Sequence, residues 1–162
     1  MALSGQMTAD VELKTPADKV FEFYTFTPYH IAKASPKYVQ SVDLLEGQWG
    51  KEGCVYNWNF LLDGKTAFNM VNVAIDDKNK SASYKTIEGT LLKMFNSFKC
   101  CIEVTPRDEG CVLHWSLEYE KLSTNVEDPK AMLHVLVDTC KDFDAHLTQQ
   151  ANTQSSPQLQ CN

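Results

Sequence analysis

The sequence predicts an α+β fold, in which a curved antiparallel sheet of seven strands wraps around one long C-terminal helix. Three observations support this prediction. First, a segment with alternating apolar and polar residues is followed by two short segments that each begin with Thr-Pro. Second, residues 38–122 have the composition and alternation of β-strands. Third, an amphipathic segment follows residue 127. Because a meandering sheet of this length curls, its apolar face needs a cover, which the long helix supplies.

The first strand is predicted over residues 7–13, where apolar and polar side chains alternate. A Thr-Pro pair at 15–16 ends the strand and begins a helix, since threonine can cap backbone N–H groups and proline is tolerated at the first helical position. A second Thr-Pro pair at 27–28 begins another short helix, which the Ser-Pro pair at 35–36 ends. Two short helices are therefore predicted between the first and second strands.

Six further strands follow one another along the chain. They are predicted at residues 38–46, 54–62, 65–75, 81–88, 95–105 and 111–122. The Asp63-Gly64 pair is typical of a tight hairpin turn, whereas residues 47–53, with glycine at every third position, fit a longer hairpin loop. In the last strand apolar residues alternate with polar ones, so that one face packs in the core and the other faces water.

Acidic residues and Pro129 mark the start of a C-terminal helix of about 20 residues. Its apolar side chains recur along one face at Met132, Leu133, Leu136, Cys140, Phe143 and Leu147. After Gln150 the chain is polar and has no periodicity, so that residues 151–162 are predicted to form a disordered tail. The sequence thus indicates one domain, residues 1–150, followed by this tail.

Composition excludes several classes of function. The chain has 162 residues, of which 43% are hydrophobic, and this is enough to bury the core of one domain. A formal net charge of −6 disfavours phosphate and anionic lipid partners, and we expect no nucleic-acid partner. No long apolar stretch or signal-peptide pattern is present, which predicts a cytoplasmic protein without a membrane span. The six cysteines lack zinc-site spacing, so we expect reduced thiols and no metal.

Four separated segments carry a family signature. They read SGQMTADVELKTPADKVFEFY, LLEGQWGKEGCVYNWNFLLDGK, IEGTLLKMFNSFKC, and WSLEYEKL followed by EDP. Over about residues 4–150 they closely resemble the major latex protein-like proteins of plants, which belong to the birch pollen allergen and pathogenesis-related class ten superfamily. The resemblance implies a large hydrophobic cavity between sheet and helix, with the two short helices at its entrance. It also implies a glycine-rich loop at the entrance, matched here by Gly47, Gly50 and Gly53.

Aromatic and apolar residues on the inward strand faces either interdigitate into a solid core or line a cavity. The residues alone leave both readings open, and the resemblance favours the cavity. The predicted lining comprises Tyr24, Tyr56, Trp58, Phe60, Phe68, Met70, Tyr84, Phe98, Cys100, Ile102, Trp115, Leu117, Met132, Leu136, Cys140 and Phe143. A few polar atoms, from the tyrosine hydroxyls and the tryptophan ring nitrogens, would orient a ligand in such a pocket.

The function we expect is binding and carriage of small hydrophobic plant metabolites or hormones, such as steroids, flavonoids, cytokinin-like molecules or fatty acids. No cofactor is implied, and we expect a monomer or weak dimer. A defence or stress role follows only from the resemblance. Flat ligands that contain rings should fit best, and promiscuity is expected because apolar pockets discriminate weakly.

Two alternatives remain open at this point. One is a cofactor-free acid/base enzyme, an isomerase or cyclase that uses the same cavity. It would need an ionisable group on the cavity wall with a shifted pKa. His30 is the weak candidate, because the second short helix sits at the cavity mouth in the resembling family and imidazole transfers protons near neutral pH. The other alternative is a regulator that docks a partner through the entrance.

Overall fold

Seven antiparallel strands form one sheet in the computed structural model, which describes the backbone of residues 3–160 and the side chains of residues 3–149. The strands are β1 Ser4–Leu13, β2 Val39–Glu46, β3 Val55–Leu62, β4 Lys65–Asp76, β5 Ser81–Gly89, β6 Phe95–Arg107 and β7 Gly110–Lys121. Their spatial order is β1-β7-β6-β5-β4-β3-β2, so that β2 to β7 form a meander and β1 pairs with the last strand. The predicted strand ends agree with these to within three residues.

Two helical segments connect β1 with β2, as the sequence predicts. Helix α1 spans Ala17–Phe26, and the second segment is a 3₁₀ turn, Pro28–His30, that continues into the one-turn helix α2, Ile31–Ala34. A further 3₁₀ turn, Thr90–Lys93, lies between β5 and β6. The long helix α3, Lys130–Gln160, follows β7. The predicted fold class, with seven strands and a covering C-terminal helix, is confirmed.

Thr15 acts differently from its predicted role as a helix cap. It makes no capping bond to α1. Its backbone N–H and its hydroxyl instead donate hydrogen bonds of 2.9 and 2.6 Å to Oδ1 of Asp144, and the N–H of Lys14 donates to Oδ2 of the same carboxylate. Because Thr15 is buried against α3, this carboxylate is its nearest acceptor. The Thr-Pro pair therefore ends β1 and ties it to the long helix.

Two more aspartates on α3 attach the helix to the segment that enters β2. Asp142 accepts a hydrogen bond of 2.6 Å from the hydroxyl of Ser35, and Asp138 accepts one of 2.6 Å from the hydroxyl of Tyr38. Together with Asp144 these carboxylates hold the helix along the concave side of the sheet. The polar side of α3 is thus used for attachment, while its apolar side faces the sheet.

The C-terminal end of α3 corrects the predicted helix length. The prediction ended the helix near Gln150, but the backbone is helical to Gln160. Extending an existing helix by one residue avoids the cost of nucleation, so that a polar segment without an apolar face can still continue it. The division of the chain into a domain, 1–150, and a separate tail, 151–162, stays a prediction. In the part of the chain that the structure describes, no helix is both long and apolar enough to cross a membrane.

Candidate ligand-binding cavity

An apolar cavity lies between the concave face of the sheet, the short helices and the first turns of α3. Its walls are formed by Tyr24, Ile31, Val39, Trp58, Phe60, Asn69, Val71, Tyr84, Cys100, Trp115, Met132, Val135, Leu136 and Thr139. About 50 Å³ is open to the centres of water-sized molecules, which is room for a few waters. The cavity is therefore smaller than the large one that the resemblance implies, and five aromatic side chains stand on its walls.

Half of the predicted lining residues lie on these walls. They are Tyr24, Trp58, Phe60, Tyr84, Cys100, Trp115, Met132 and Leu136. Six others are buried but pack beside the cavity rather than on its walls, namely Tyr56, Phe98, Ile102, Leu117, Cys140 and Phe143. Contact between any of these residues and a ligand stays a prediction.

Phe68 and Met70 do not face the cavity, which corrects their predicted placement. On β4 the buried side chains are Ala67, Asn69, Val71 and Val73, whereas Phe68 is 39% exposed. Apolar residues occupy both faces of this strand, and the prediction chose the face with the larger side chains. The inward face instead carries a small residue and an amide, which leaves space between β4 and α3.

Sequence reasoning missed six of the wall residues. They are Ile31, Val39, Asn69, Val71, Val135 and Thr139. Val71 and Asn69 follow from the corrected face of β4. Val135 directly precedes Leu136 in the sequence and so points to an adjacent side of α3, and the helix therefore presents a wider face to the cavity than the predicted stripe.

Four of the side chains whose polar atoms were expected to orient a ligand, those of Tyr24, Tyr56, Tyr84 and Trp115, are already bonded within the protein. The ring N–H of Trp115 donates a hydrogen bond of 2.9 Å to the sulfur of Cys140, and the hydroxyl of Tyr24 lies 3.0 Å from the same sulfur. The hydroxyl of Tyr84 donates to the backbone carbonyl of Tyr24 over 3.2 Å. On β3, Tyr56 donates to another carbonyl of α1 over 2.9 Å. These bonds hold the aromatic rings in fixed positions.

The buried tyrosines and thiols at the cavity are neutral near pH 7. Burial raises the pKa of Tyr24 and of Tyr84 well above its ordinary value. Burial also raises the pKa of the Cys100 and Cys140 thiols to about 12. The cavity walls consequently present no charge at physiological pH.

Asn69 differs from the other polar wall residues. It is 4% exposed, and its side-chain oxygen accepts no hydrogen bond from the described residues. On the neighbouring strand β5, the buried hydroxyl of Thr86 is also without a partner among those residues. Asn69 on the wall and Thr86 beside it therefore have unused hydrogen-bonding capacity.

The glycine loop packs on α1 through aromatic contacts. Gly50 has φ of +79°, and a Cβ atom there would lie 2.2 Å from the ring of Phe26. The ring of Trp49 lies 4.9 Å from that of Tyr29 and 4.7 Å from that of Tyr56. Gly47, Gly50 and Gly53 all have positive φ and none is a wall residue, so that their role at an entrance stays a prediction.

His30 does not reach the cavity. Its side chain is exposed, and its ring meets that of Tyr29 edge-on with 4.6 Å between centroids. It is not among the wall residues. Within the described residues, no group of three or more metal-ligating side chains comes together either. The structure gives no support to a proton-transfer role for His30 inside the cavity.

A surface groove adjoins the cavity near the start of α3. Residues of the β3–β4 hairpin, of the segment before β2 and of α3 line it, namely Lys37, Tyr38, Leu61, Asp63, Gly64, Lys130, Ala131, His134 and Val135. Val135 lines both the groove and the cavity. One valine side chain therefore stands at the boundary between the cavity and solvent.

Comparisons with known proteins agree with this geometry. The sequence profile described as the pathogenesis-related protein Bet v 1 family matches residues 2–150. MLP-like protein 28 of Arabidopsis thaliana is 38% identical over 161 residues, a match that covers 97% of this chain and 48% of that protein. The chain thus spans about half the length of this relative.

Solved structures give the same result for the fold. Ginseng major latex-like protein 151, from Panax ginseng, superposes with a TM-score of 0.85 at 33% identity, covering 89% of this chain and 97% of that one. Norcoclaurine synthase from Thalictrum flavum, in complex with dopamine and hydroxybenzaldehyde, superposes with a TM-score of 0.70 at 16% identity, covering 91% of this chain and 88% of that one. The second likeness is one of fold alone.

Proposed function

The chain belongs to the pathogenesis-related protein Bet v 1 family, and from this premise we propose that it binds and carries small hydrophobic plant metabolites or hormones in its cavity. The observation that carries the proposal is the chemistry of the walls. The described wall residues include no carboxylate, amine, guanidinium or imidazole group. Such a surface favours ligands whose binding removes apolar area from water.

The size of the cavity ranks the candidate ligands. Removal of apolar ligand surface from water contributes about 25 cal/mol per Å² to the free energy of binding, before the costs of association are subtracted. Because the open volume is small, a ligand must displace wall side chains, and the half-buried Trp58 and Leu136 can move with less loss of packing than the fully buried ones. Flat molecules of one or two rings, such as cytokinin-like compounds, should therefore bind more readily than flavonoids, and flavonoids more readily than steroids.

The groove next to Val135 is the access route that we propose for such a ligand. This side chain alone is shared by the groove and the cavity walls. A rotation of Val135, or a small outward shift of the first turn of α3, would join the two spaces. The route lies away from the glycine loop, whose Trp49 ring packs against the rings of Tyr29 and Tyr56.

Two neighbouring cysteines provide the test. Cys100 lies on the cavity wall, and Cys101, the next residue of β6, lies on the opposite face of the sheet. We expect Cys100→Phe to fill the cavity and to abolish binding of the uncharged fluorophore N-phenyl-1-naphthylamine, measured by fluorescence titration. Cys101→Phe, the matched control, should bind as the unmodified protein does. Equal binding by both variants would contradict a site in the cavity.

The acid/base enzyme remains the second candidate, motivated by the fold that the chain shares with norcoclaurine synthase. The wall groups that could transfer a proton are the hydroxyls of Tyr24 and Tyr84 and the thiol of Cys100, whose pKa values burial raises. Such groups are poor proton acceptors at neutral pH. A carrier therefore explains the walls better, while a defence or stress role and a cytoplasmic location stay predictions.

A further inference from the structure

Asn69 is a polar residue on an otherwise apolar wall. It lies on the inward face of β4 between Ala67 and Val71, is 4% exposed, and leaves its Oδ1 atom without a hydrogen bond from any described residue. Buried polar atoms are nearly always hydrogen-bonded, because an unpaired one loses its hydration without compensation. An unpaired amide oxygen that faces a cavity therefore indicates a partner from outside the chain.

A second unpaired group lies beside it. Thr86 on β5 is directly opposite Val71 in the sheet, and Gly89 is opposite Asn69, so that Asn69 and Thr86 are diagonal neighbours on the same face. The Thr86 hydroxyl is buried and also lacks a partner among the described residues. Gly89 has no side chain that could reach the carboxamide. Asn69 is on the cavity wall and Thr86 is buried next to it, so that this side of the site holds two unpaired groups rather than one isolated defect.

We propose that Asn69 is the specificity-determining residue of the cavity, and that its carboxamide binds a hydroxyl or N–H group on a small aromatic ligand. The ligand class is a flat aromatic molecule with a hydrogen-bond donor at one end, such as a phenol. Thr86, which is buried beside this wall residue, carries a second unpaired group on the same face of the sheet. This inference rests on the proposed function, since it names the polar feature of a ligand that the apolar walls hold.

The physical basis is the cost of leaving Asn69 unpaired. An apolar ligand without a donor would cover the amide and keep it from water, whereas a ligand with a donor would satisfy it. Sites with buried polar groups therefore reject analogues that lack the matching group much more strongly than apolar pockets separate ligands by size. The other wall hydroxyls cannot supply this selection, because Tyr24 and Tyr84 already bond within the protein.

The test compares 2-naphthol with 2-methylnaphthalene, which has a methyl group in place of the hydroxyl. The dissociation constants of both probes are measured by isothermal titration calorimetry for the unmodified protein and for Asn69→Leu. We expect Asn69→Leu to weaken 2-naphthol relative to 2-methylnaphthalene by about tenfold, the value of one hydrogen bond to a buried group. Comparing the ratio between variants cancels the different hydration of the two probes.

Asn57→Leu is the matched control. The side-chain oxygen of Asn57 is also buried and unpaired among the described residues, but this residue is not on the cavity wall. The ratio for Asn57→Leu should equal that of the unmodified protein. Thermal unfolding checks that each variant folds, and Asn69→Ala replaces Asn69→Leu if the leucine does not fit.

The outcomes separate this inference from the proposal on which it rests. If both probes bind and their ratio is the same in the unmodified protein and in the Asn69 variants, Asn69 is bonded only to water and the inference is overturned. If neither probe binds the folded protein, the cavity does not take small apolar ligands, and the proposed function fails together with the inference. A tenfold change in the ratio that Asn57→Leu does not reproduce supports the inference.

Discussion

The two ends of the interface between sheet and helix are packed differently. Around the middle of α3, the rings of Phe23 and Phe143 stack with 4.6 Å between centroids, and the Cys140 sulfur is bonded by Trp115. At the first turns of α3, Val135 and Leu136 face a cavity instead. Apolar residues face inward at both ends. The two ends therefore differ in how completely their side chains fill the space between sheet and helix. We infer that the packed end supplies stability and that the cavity end supplies binding.

The largest expected difference between the two ends concerns large-to-small substitutions. Phe143 is fully buried, so that Phe143→Ala should lower the free energy of unfolding by about 3–5 kcal/mol. Leu136 is half-buried beside existing empty space, and Leu136→Ala should cost below about 2 kcal/mol. Denaturant unfolding measures both values. Equal losses of unfolding free energy in the two variants would mean that the two ends are packed alike.

Two buried cysteines allow a finer comparison. Cys140→Ala removes the sulfur that accepts the Trp115 hydrogen bond, and should cost about 2 kcal/mol because a buried N–H loses its partner. Cys100→Ala only enlarges the cavity, and should cost about 1 kcal/mol. The comparison would be wrong if the Cys100 variant were the less stable of the two in thermal or denaturant unfolding.

Alkaline pH should destabilise the protein through these same thiols. Burial raises the pKa of Cys100 and Cys140 from 9.0 to about 12. Between these values the unfolded chain loses thiol protons that the folded chain retains, so that the free energy of unfolding falls as the pH rises. Each thiol should contribute about 1 kcal/mol of this loss by pH 10.

Serine variants check the origin of this pH dependence. Cys100→Ser should make the fall between pH 8 and pH 10 shallower, since a hydroxyl does not titrate in this range. Denaturant unfolding at each pH gives the slope. An unchanged slope in Cys100→Ser would show that this thiol does not remain protonated in the folded state.

The smallest expected effect on the binding equilibrium comes from a substitution of Val135, which lies on the proposed access route. Val135→Ala should speed both association and dissociation of N-phenyl-1-naphthylamine in stopped-flow fluorescence, while the dissociation constant changes by less than about threefold. The control is Val137→Ala, which lies on the same helix but not on the cavity wall. Identical kinetics in Val135→Ala and the unmodified protein would exclude the route beside Val135.

The strands and their order could be predicted because alternation of apolar residues and turn sequences both act locally. The resemblance to major latex-like proteins is confirmed, and it correctly predicted that the sheet wraps around α3. The face of β4 could not be predicted from alternation, since Phe68 and Met70 compete with Ala67 and Val71 for the inward side. The end of α3 was also missed, because helix propagation needs no apolar face.

The cavity itself was only partly predictable. The sequence identifies inward aromatic residues, but it does not show that Tyr24, Tyr84 and Trp115 already bond within the protein and narrow the space. Asn69 escaped notice because an amide in an alternating strand is normally assigned to the solvent face. Both facts depend on contacts between residues far apart in sequence, which local patterns do not record.

Intermolecular nuclear Overhauser effects test the central claim most directly, because they locate a bound ligand atom by atom. The experiment uses methyl-labelled protein saturated with 2-methylnaphthalene. We expect contacts from the probe to the methyl groups of Val71, Val135 and Leu136 on the cavity wall, and none to Leu13, which is buried but is not a wall residue. Contacts confined to exposed methyl groups, such as those of Leu45 or Leu122, would place the probe on the surface and contradict binding in the cavity.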